Sequence, residues 1–428
     1  MPFKTKVFTC GMILVMLLTG LLPACQSATP SKISFMVFGD TAELAAYQTL
    51  VDAFKAAHPE IDVELIHIPG QSDYRKRLAA DMAAGSPADV VLINYRRYAA
   101  FAAQGALEPL GVYLAKSELI SSADFYAEAI DPFVYNGQLM CIPQNLSSLV
   151  VYYNKDLFDQ AGLPYPADDW TWQDFLAAAQ ALTLDADSDG RTDQFGVGIE
   201  ASIFRLAPFV WQAGGDLVDD QLTPTRLMLE TPEALEAVQF FVDLQVKYHV
   251  APSAEEEASE ESESRFINGR LGMFFNSRRG VPTYREITAF DWDVAPLPQY
   301  KERASILHSD AYCLPAASTN KPAAWTFIEY ANSPEGQTIV AASGRTVPSL
   351  ISVAESPAFL DPNARPANSQ VFLDTIPYLR GVPIHPNWAD VEEISGEEIY
   401  RAFYGETTVE DAMITAIRRT AIYFGEGE

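Results

Sequence analysis

The chain has 428 residues, 48% of them hydrophobic, so it is long enough for two domains and apolar enough to bury substantial cores. Lys and Arg total 29 against 57 Asp and Glu, a formal net charge of −28. This acidic excess argues against nucleic acid and anionic membrane surfaces as partners, because their phosphates repel the chain. The charge by itself does not identify a ligand.

The N-terminal segment has the pattern of a secretory signal peptide. Lys4 and Lys6 precede an apolar run over residues 12–22, which is too short for a lasting membrane span. Residues 1–24 are therefore predicted to be a signal peptide, with a buried N-terminal hairpin as the alternative. The sequence Leu-Pro-Ala-Cys that ends at Cys25 resembles a bacterial lipoprotein box. This resemblance implies a lipidated Cys25, a tether over residues 25–31, and an extracytoplasmic protein held at the cell membrane by its lipid alone.

Predicted strands and helices alternate along the first part of the mature chain. The strands are predicted at 33–38, 61–65 and 90–93, and the helices at 44–54, 74–82 and 98–104. Such alternation indicates an α/β fold with a mainly parallel sheet and helices on both faces. Ligands of such sheets bind beyond the carboxyl ends of the strands, where Gly39, Asp40 and residues 94–97 lie.

A polar patch separates two apolar runs within residues 139–158. Pro143 ends the first run, the next residues are mostly polar, and residues 149–153 have the β-branched and aromatic composition of a buried strand. Asn154 is placed to cap a following helix. We interpret this stretch as a chain that leaves one structural unit, exposes polar groups at a junction and enters another. An ordinary pair of strands with a polar turn is the alternative.

Helix and strand signals continue towards the C-terminus. Helix starts are predicted at Thr171, where Asp174 gives a weaker form of the capping box, and at Thr231, where Pro232 takes the first helical position. Residues 253–264 are rich in Glu and Ser and indicate a solvated loop or an exposed helix face. Strand character is predicted at 266–275, 292–297 and 304–314, and helices are predicted at 320–331 and 334–343.

Five segments of the chain carry a resemblance to a known family. They are ADVVLINYRR (88–97), YYNKDLFDQAGLPYP (152–166), WQAGGDLVDD (211–220), FINGRLGMFF (266–275) and NSPEGQ (332–337). In this order they resemble the bacterial extracellular solute-binding proteins that serve ATP-binding-cassette importers, and most closely the sugar-binding branch that includes maltose-binding protein. That branch has acidic and aromatic residues where this chain has Tyr95, Arg96 and Ser147. The resemblance therefore does not extend to maltose itself.

The resemblance implies a two-lobed periplasmic-binding-protein-like fold with a ligand cleft at the hinge. Each lobe would be a mainly parallel sheet flanked by helices. The implied boundaries are 32–143 plus 312–349 for the first lobe and 144–311 plus 350–428 for the second. The chain would cross between the lobes near Gln144, near Ser309 and near Ser349. The family also implies a carbohydrate ligand, importer permease subunits as partners, and a monomer.

A carbohydrate site needs flat aromatic surfaces for the apolar faces of the sugar and fixed hydrogen-bonding groups for its hydroxyls. Sixteen residues at predicted strand ends, loops and crossings meet that need or match family positions that contact ligand. They are Asp40, Tyr95, Arg96 and Arg97 in the first lobe, Asn145, Ser147 and Ser148 at the junction, Trp211, Gln212, Asn276, Arg278, Arg279 and Trp388 in the second lobe, and Ser309, Asp310 and Tyr312 on the return crossing.

These candidates have structural alternatives. Trp211, Tyr312 and Trp388 are equally suited to a hydrophobic core. Any of the arginines can pair with a surface carboxylate instead of a ligand. Arg278 and Arg279 also make an anionic ligand an alternative to a neutral sugar, because a guanidinium suits carboxylate or phosphate.

Signatures of catalysis are scarce. The sequence contains no G-x-S-x-G, H-E-x-x-H or G-x-x-x-x-G-K-[ST] motif, and its five histidines have no metal-ligand spacing. The predicted function is solute binding without catalysis or a required cofactor: a lipoprotein captures a carbohydrate, expected to be an oligosaccharide, and delivers it to an importer. The alternatives are a surface glycoside hydrolase, which needs only two suitably spaced carboxylates, a sensor read by a receptor, and binding of a non-sugar solute.

One acidic loop has the spacing of a calcium site. Asp185, Asp187, Asp189 and Asp193 occupy positions one, three, five and nine of such a loop, with Gly190 at position six. Position twelve is a glycine, where a bidentate Glu is expected. The loop therefore predicts a structural Ca²⁺ site, with an acidic turn as the alternative.

Two cysteines remain after export and lipidation. Cys10 would leave with the signal and Cys25 would carry the lipid, so Cys141 and Cys313 are left for an oxidising compartment. If the two crossings run side by side, as the family resemblance implies, these residues fall within reach of a disulfide. Two buried free thiols are the alternative.

Overall fold

The computed structural model describes residues 1–3 and 30–425. The apolar run of the predicted signal peptide and the predicted lipidation site at Cys25 lie outside the described residues. Within residues 1–3 and 30–425, no helix is long and apolar enough to cross a membrane.

The elements alternate along the chain much as the sequence pattern predicts. The strands are β1 (Ser31–Phe38), β2 (Ile61–Ile68), β3 (Val90–Asn94), β4 (Val134–Tyr135), β5 (Gln138–Leu139), β6 (Cys141–Pro143), β7 (Ser147–Ser148), β8 (Val150–Asn154), β9 (Phe195–Gly198), β10 (Leu271–Asn276), β11 (Trp292–Ala295), β12 (Ser305–His308), β13 (Asp310–Cys313) and β14 (Leu379–Arg380). The α-helices are α1 (Thr41–Ala57), α2 (Gln71–Ala83), α3 (Tyr98–Ala103), α4 (Gly111–Leu114), α5 (Ala127–Ile130), α6 (Lys155–Gln160), α7 (Trp172–Ala181), α8 (Ile203–Gln212), α9 (Pro232–Val246), α10 (Ala254–Ser259), α11 (Ser262–Ile267), α12 (Val281–Arg285), α13 (Lys321–Ala331), α14 (Pro334–Ala342), α15 (Ile351–Ala354), α16 (Val371–Asp374), α17 (Trp388–Phe403) and α18 (Val409–Thr420).

The first lobe is built on a five-stranded sheet in the order β2-β1-β3-β13-β6. Strands β1, β2 and β3 pair in parallel, and β13 runs antiparallel between β3 and β6. The continuous apolar run of β3 is buried, as expected for a strand covered on both faces. Helices α13 and α14 return to this lobe and pack against α1.

The second lobe is built on a four-stranded sheet in the order β11-β8-β10-β9. Here β8 runs antiparallel to both of its neighbours, while β9 and β10 are parallel. The one reversed strand of each sheet, β13 or β8, adjoins a place where the chain changes lobes. Helices α17 and α18 pack against α9. The predicted two-lobed α/β fold is therefore confirmed, with a mixed sheet in each lobe.

Three connecting segments lie side by side between the two sheets. The backbone N–H of Gln144 donates to the carbonyl of Asp310 (2.9 Å), and that of Leu146 donates to the carbonyl of Val347 (3.0 Å). The Ser349 hydroxyl donates to the carbonyl of Pro143 at 2.6 Å. These contacts join the segments near 144, 309 and 349, where the family resemblance puts the crossings.

A disulfide fastens the first lobe next to these segments. Cys141 and Cys313 are direct partners in the antiparallel pairing of β6 and β13. Their sulfur atoms are bonded, with the Cα atoms 4.5 Å apart. Of the two alternatives left open by the sequence, the structure forms the bridge.

The predicted strand over 266–275 is only half correct. Its first part belongs to helix α11, and the strand β10 begins at Leu271. The preceding Glu- and Ser-rich segment forms α10 behind a capping box made by Ser253 and Glu256. Arg265 holds α11 against α10, because its buried guanidinium donates to the carbonyls of Glu256 (2.6 Å) and Glu260 (3.0 Å). Helix capping and this arginine therefore override the apolar strand pattern.

Candidate functional site

A cleft of about 970 Å³ lies between the lobes and is lined by both of them and by the connecting segments. Its polar and charged lining is Glu43, Gln71, Ser72, Arg75, Lys76, Asn94, Arg96, Arg97, Gln144, Asn145, Ser147, Glu200, Ser202, Arg205, Asn276, Ser277, Arg279, His308, Asp310, Arg345, Glu392 and Glu393. Its aromatic lining is Phe38, Tyr47, Tyr74, Phe101 and Phe204. No tryptophan is among the described lining residues. The cleft is therefore rich in hydrogen-bonding and charged groups and poor in large flat surfaces.

Seven of the sixteen predicted ligand contacts line this cleft. They are Arg96, Arg97, Asn145, Ser147, Asn276, Arg279 and Asp310. They come from the end of β3, from the crossings and from the end of β10 and the residues after it, whereas the predicted C-terminal aromatic, Trp388, does not line the cleft. The structure shows that these seven residues line the cleft, and ligand contact by each of them stays a prediction.

The four large aromatic candidates lie in the hydrophobic core instead of the cleft. They are Tyr95, Trp211, Tyr312 and Trp388, each at most 3% exposed. The hydroxyl of Tyr312 accepts the amide N–H of Gln144 at 2.8 Å, and that of Tyr95 accepts the backbone N–H of Val382 at 3.2 Å. Burial of so much apolar surface stabilises the lobes more than exposure at a wet cleft, so the structural alternative holds for all four.

The remaining five candidates also have structural roles. Asp40 is the N-cap of α1 and accepts the backbone N–H groups of the first turn. Gln212 accepts the indole N–H of Trp172 (2.6 Å) and donates to the carbonyl of Ala304 (2.9 Å). The hydroxyl of Ser309 donates to the carbonyl of Asn145 at 2.6 Å, which ties two crossings together. These hydrogen bonds give the three side chains structural roles outside the cleft, and ligand contact by them stays a prediction.

Arg278 and Ser148 complete this group. The guanidinium of Arg278 donates to the carbonyl of Gly344 (2.9 Å) and to the hydroxyl of Ser369 (3.0 Å). Its burial lowers its pKa to about 9. Ser148 is fully buried in β7, where it pairs with Leu307. Neither lines the cleft.

Arginines of the first lobe reach across the cleft to the second. Arg96 and Arg97 donate to the same carboxylate oxygen, Oε1 of Glu392 on α17, at 2.6 and 2.9 Å. The guanidinium of Arg96 also lies 3.8 Å from the ring centroid of Phe204 on α8. Oε2 of Glu392 is buried and has no hydrogen-bond partner among the described residues. One carboxylate of the second lobe thus holds two cations of the first.

A second cluster lies where α8 meets the end of β12. Nη1 of Arg205 is 3.2 Å from Nε2 of His308, whose Nδ1 lies 3.3 Å from the carbonyl of Ile306. Burial lowers the pKa of His308 well below its usual value, and the charges of Arg205, Arg96 and Arg279 lower it further. A neutral ring with the proton on Nδ1 satisfies both contacts. His308 therefore adds no positive charge to the cleft and holds Arg205 in place.

Two buried carboxyl groups lie on the first-lobe side. Burial raises the pKa of Glu43 to about 7, although Arg345 lies in ion-pair contact with it. Burial also raises the pKa of Asp310, against the effect of the Asn94 amide that donates to it at 3.1 Å. Both groups are therefore less acidic than ordinary side-chain carboxyls.

Sequence reasoning missed Phe204, Arg205, Arg345 and Glu392. Phe204 and Arg205 lie in the first turn of α8, and Glu392 lies in the second turn of α17. Arg345 follows α14, so the strand-end pattern marks none of these four residues. His308 could have been predicted as a residue of the cleft, because it directly precedes the predicted crossing at Ser309.

The acidic loop before β9 gathers three of its four carboxylates. Oxygens of Asp185, Asp187 and Asp193 lie within 4.8 Å of one another and are exposed, whereas Asp189 is not part of the group. At position twelve, a Cβ on Gly196 would lie 1.9 Å from the carbonyl oxygen of Ala179, so no side chain fits there. The calcium site stays a prediction, without its bidentate ligand. Titration calorimetry with no heat at millimolar calcium would exclude it.

Comparison with known proteins decides the family. A family model described as bacterial extracellular solute-binding protein matches residues 39–338. The chain belongs to this family. A putative binding protein of Brucella abortus is 25% identical over 398 residues, which cover 91% of this chain and 93% of that protein. A mannitol-binding protein of Pseudomonas aeruginosa is 26% identical over 79% of this chain and 75% of its own length.

A solved member of the solute-binding proteins shares the fold of nearly the whole chain. The ABC substrate-binding protein of Listeria monocytogenes in complex with cycloalternan superposes with a TM-score of 0.85. The match covers 92% of this chain and 99% of the Listeria chain at 24% identity. Between such distant solute-binding proteins the fold is shared, while the side chains of the cleft must be judged in each protein.

Proposed function

We propose that this protein is an extracytoplasmic lipoprotein that captures a carbohydrate between its lobes and delivers it to an ATP-binding-cassette importer. The observation that carries the proposal is the polar cleft, which both lobes and the crossings line with hydroxyl, amide and charged groups. Such groups suit a polyhydroxylated solute, since each hydroxyl needs a fixed donor or acceptor. The relative that binds mannitol, a polyol, supports this class of ligand.

We infer from the lining of the cleft, which has few flat aromatic surfaces, that the ligand is a small carbohydrate instead of the oligosaccharide expected from the sequence. Four of the five aromatic side chains that line the cleft, Phe38, Tyr47, Tyr74 and Phe204, are buried, and Arg96 covers the ring of Phe204. The predicted aromatic platforms Trp211 and Trp388 are buried elsewhere. Affinity would come from hydrogen bonds to groups such as Asn145, Asn276 and Asp310.

A thermal-shift screen tests the proposed ligand class. The panel contains neutral and acidic mono- and disaccharides, polyols, and non-carbohydrate solutes such as amino acids and short peptides. A carbohydrate that binds the folded state raises the melting temperature, by a shift that grows with concentration. If only the non-carbohydrate solutes raise it, the carbohydrate proposal is wrong. A turnover assay on the binding sugars separates capture from hydrolysis.

Two further measurements address delivery and anchoring. Mass spectrometry of the mature N-terminal peptide from the native host should find lipid on Cys25, and an unmodified soluble chain contradicts the anchor. Deletion of the gene should abolish uptake of the bound sugar by the host, although the permease subunits are still made. Uptake that persists would favour a sensor in place of a transport component.

A further inference from the structure

The charges of the cleft are opposite in sign to those of the chain as a whole. The formal net charge of the chain is −28. The cleft is nevertheless lined by seven cationic side chains and five carboxyl groups: Arg75, Lys76, Arg96, Arg97, Arg205, Arg279 and Arg345 against Glu43, Glu200, Asp310, Glu392 and Glu393. A neutral ligand gives no reason to gather this many guanidinium groups in an acidic protein.

Three of these seven cations form close ion pairs with carboxylates that line the cleft. Arg96 and Arg97 share Glu392, and Arg345 contacts Glu43. Arg279 reaches only Glu263, at 4.0 Å, and more than half of its side chain is exposed. It makes no side-chain hydrogen bond within the described part of the chain.

Arg205 is a second cation of the cleft that lacks a close carboxylate partner. Its nearest carboxylate, Glu200, is 3.6 Å from Nε and two-thirds exposed, so solvent screens the attraction. Nε is itself buried and has no hydrogen-bond partner among the described residues. A buried donor left in this state costs free energy until a ligand supplies an acceptor.

The backbone beside Arg205 also has N–H groups that are left over for a ligand. Helix α8 begins at Ile203, and the first intrahelical bonds to the carbonyl of Ser202 come from Arg205 and Leu206. The N–H groups of Ile203 and Phe204 come before the first of these bonds in the helix and have no intrahelical acceptor. The Ser202 hydroxyl makes no capping bond, and its buried oxygen has no partner within residues 1–3 and 30–425. A helix N-terminus next to a guanidinium favours an anion.

We propose that the ligand carries an anionic group, a carboxylate or a phosphate, which binds Arg205 and Arg279 in front of the N-terminus of α8. The ligand is then an acidic carbohydrate. Its hydroxyls are left for the amides at the crossings and for Oε2 of Glu392 on α17, which has no hydrogen-bond partner among the described residues. Exposed Arg75 and Lys76 on α2, at the rim, attract such a ligand from solution. This inference rests on the proposed carbohydrate function and narrows it.

Titration calorimetry with matched ligands tests the anionic group. The probes are D-glucose and D-galactose, their uronates, and their 1-phosphates, each measured with the whole mature protein at low and moderate salt. At least one acidic probe should bind about tenfold more tightly than its neutral parent. That preference should shrink as salt is added. Preference for the uronates or for the phosphates identifies the group.

Two variants and a control assign the preference to residues. Arg279→Gln changes a half-exposed side chain, and Arg205→Gln removes the partner of His308. Each substitution should lower the affinity for the acidic probe about tenfold and should lower the affinity for the neutral parent much less. Arg205→Lys, which keeps the charge, should restore part of the loss. Arg418→Gln, on an exposed position of α18, should change neither.

The outcomes separate this inference from the proposed function. Neutral sugars that bind as tightly as the acidic ones overturn the anionic inference and leave the carbohydrate function standing. An acidic preference that survives in both arginine variants overturns the assignment to Arg205 and Arg279. If neither neutral nor acidic carbohydrates bind, while other solutes do, the proposed function fails and the inference fails with it.

Discussion

Glu43 illustrates how burial and pairing compete at a single residue of the cleft. Its side chain is almost fully buried, accepts the backbone N–H of Asp40 at 3.1 Å and contacts Arg345. Removing the carboxylate from water costs more than these contacts return, so its pKa rises to about 7. The ion pair with Arg345 is therefore strongest above neutral pH.

This raised pKa makes the stability of the protein depend on pH. The folded-state value of about 7 lies above the unfolded value of about 4.3, so the folded state binds the extra proton between them. The free energy of unfolding then falls as pH rises through this window. Relative to Glu43→Gln, the wild type should lose about 2–3 kcal/mol between pH 5 and pH 8. Urea denaturation at both pH values measures the difference.

The control for this prediction is Glu410→Gln, because that side chain is exposed on α18. It should follow the wild-type pH profile. A wild type that becomes more stable than Glu43→Gln between pH 5 and pH 8 contradicts the raised pKa.

At the scale of elements, the chain is organised around strands that continue into the crossings. β6 and β13 pair at the inner edge of the first sheet, and the residues after β6 and before β13 form two of the three connecting segments. The disulfide between Cys141 and Cys313 fixes this pair within the first lobe. Because both cysteines belong to the first sheet, the bridge makes no covalent link between the lobes.

Loss of the disulfide should lower stability and spare binding. The bridged residues are 172 positions apart, and an unfolded loop of that size loses conformational entropy worth about 4–5 kcal/mol in the entropic model. Cys141→Ala combined with Cys313→Ala should lower the free energy of unfolding by up to that amount in urea. Wild type in reductant is the matched control. Equal stability of the bridged and unbridged proteins contradicts this account.

The elements were largely predictable from sequence, and the orientation of individual side chains was not. Caps at Asn154 and Thr171 form as predicted, because they depend only on residues three positions away. Arg278 and Arg279 show the limit: they are neighbours in sequence, yet one is buried against Phe359 and the other faces the cleft. Which of two adjacent side chains points inward is set by long-range packing, which local patterns do not contain.

At the scale of the whole molecule, a shared ion pair joins the lobes across the cleft. Glu392 of the second lobe accepts hydrogen bonds from Arg96 and Arg97 of the first, and all three side chains are largely shielded from solvent. Closure of a two-lobed binding protein requires that the closed state be favoured by ligand or by such contacts. This arginine–glutamate contact holds the two lobes together across the cleft before a ligand contributes.

Glu392→Gln should therefore shift the protein towards an open form. A neutral amide weakens two charge-assisted hydrogen bonds, by about 1–2 kcal/mol in total, which changes the ratio of closed to open molecules roughly 5–30-fold. Small-angle X-ray scattering of the ligand-free protein should show a larger radius of gyration. Glu393→Gln is the matched control, since Glu393 lines the cleft without an ion pair in the described structure. An unchanged radius of gyration in Glu392→Gln argues against the contact.

The crystal structure of the complex with the tightest-binding carbohydrate tests the central claim most directly. The claim is that the solute binds between the lobes and contacts both of them and the crossings. It predicts electron density in the cleft, within hydrogen-bonding distance of Arg205 or Arg279, of Asn145, and of a first-lobe group such as Arg96. Density for the carbohydrate on an outer face of either lobe, with an empty cleft, would contradict it.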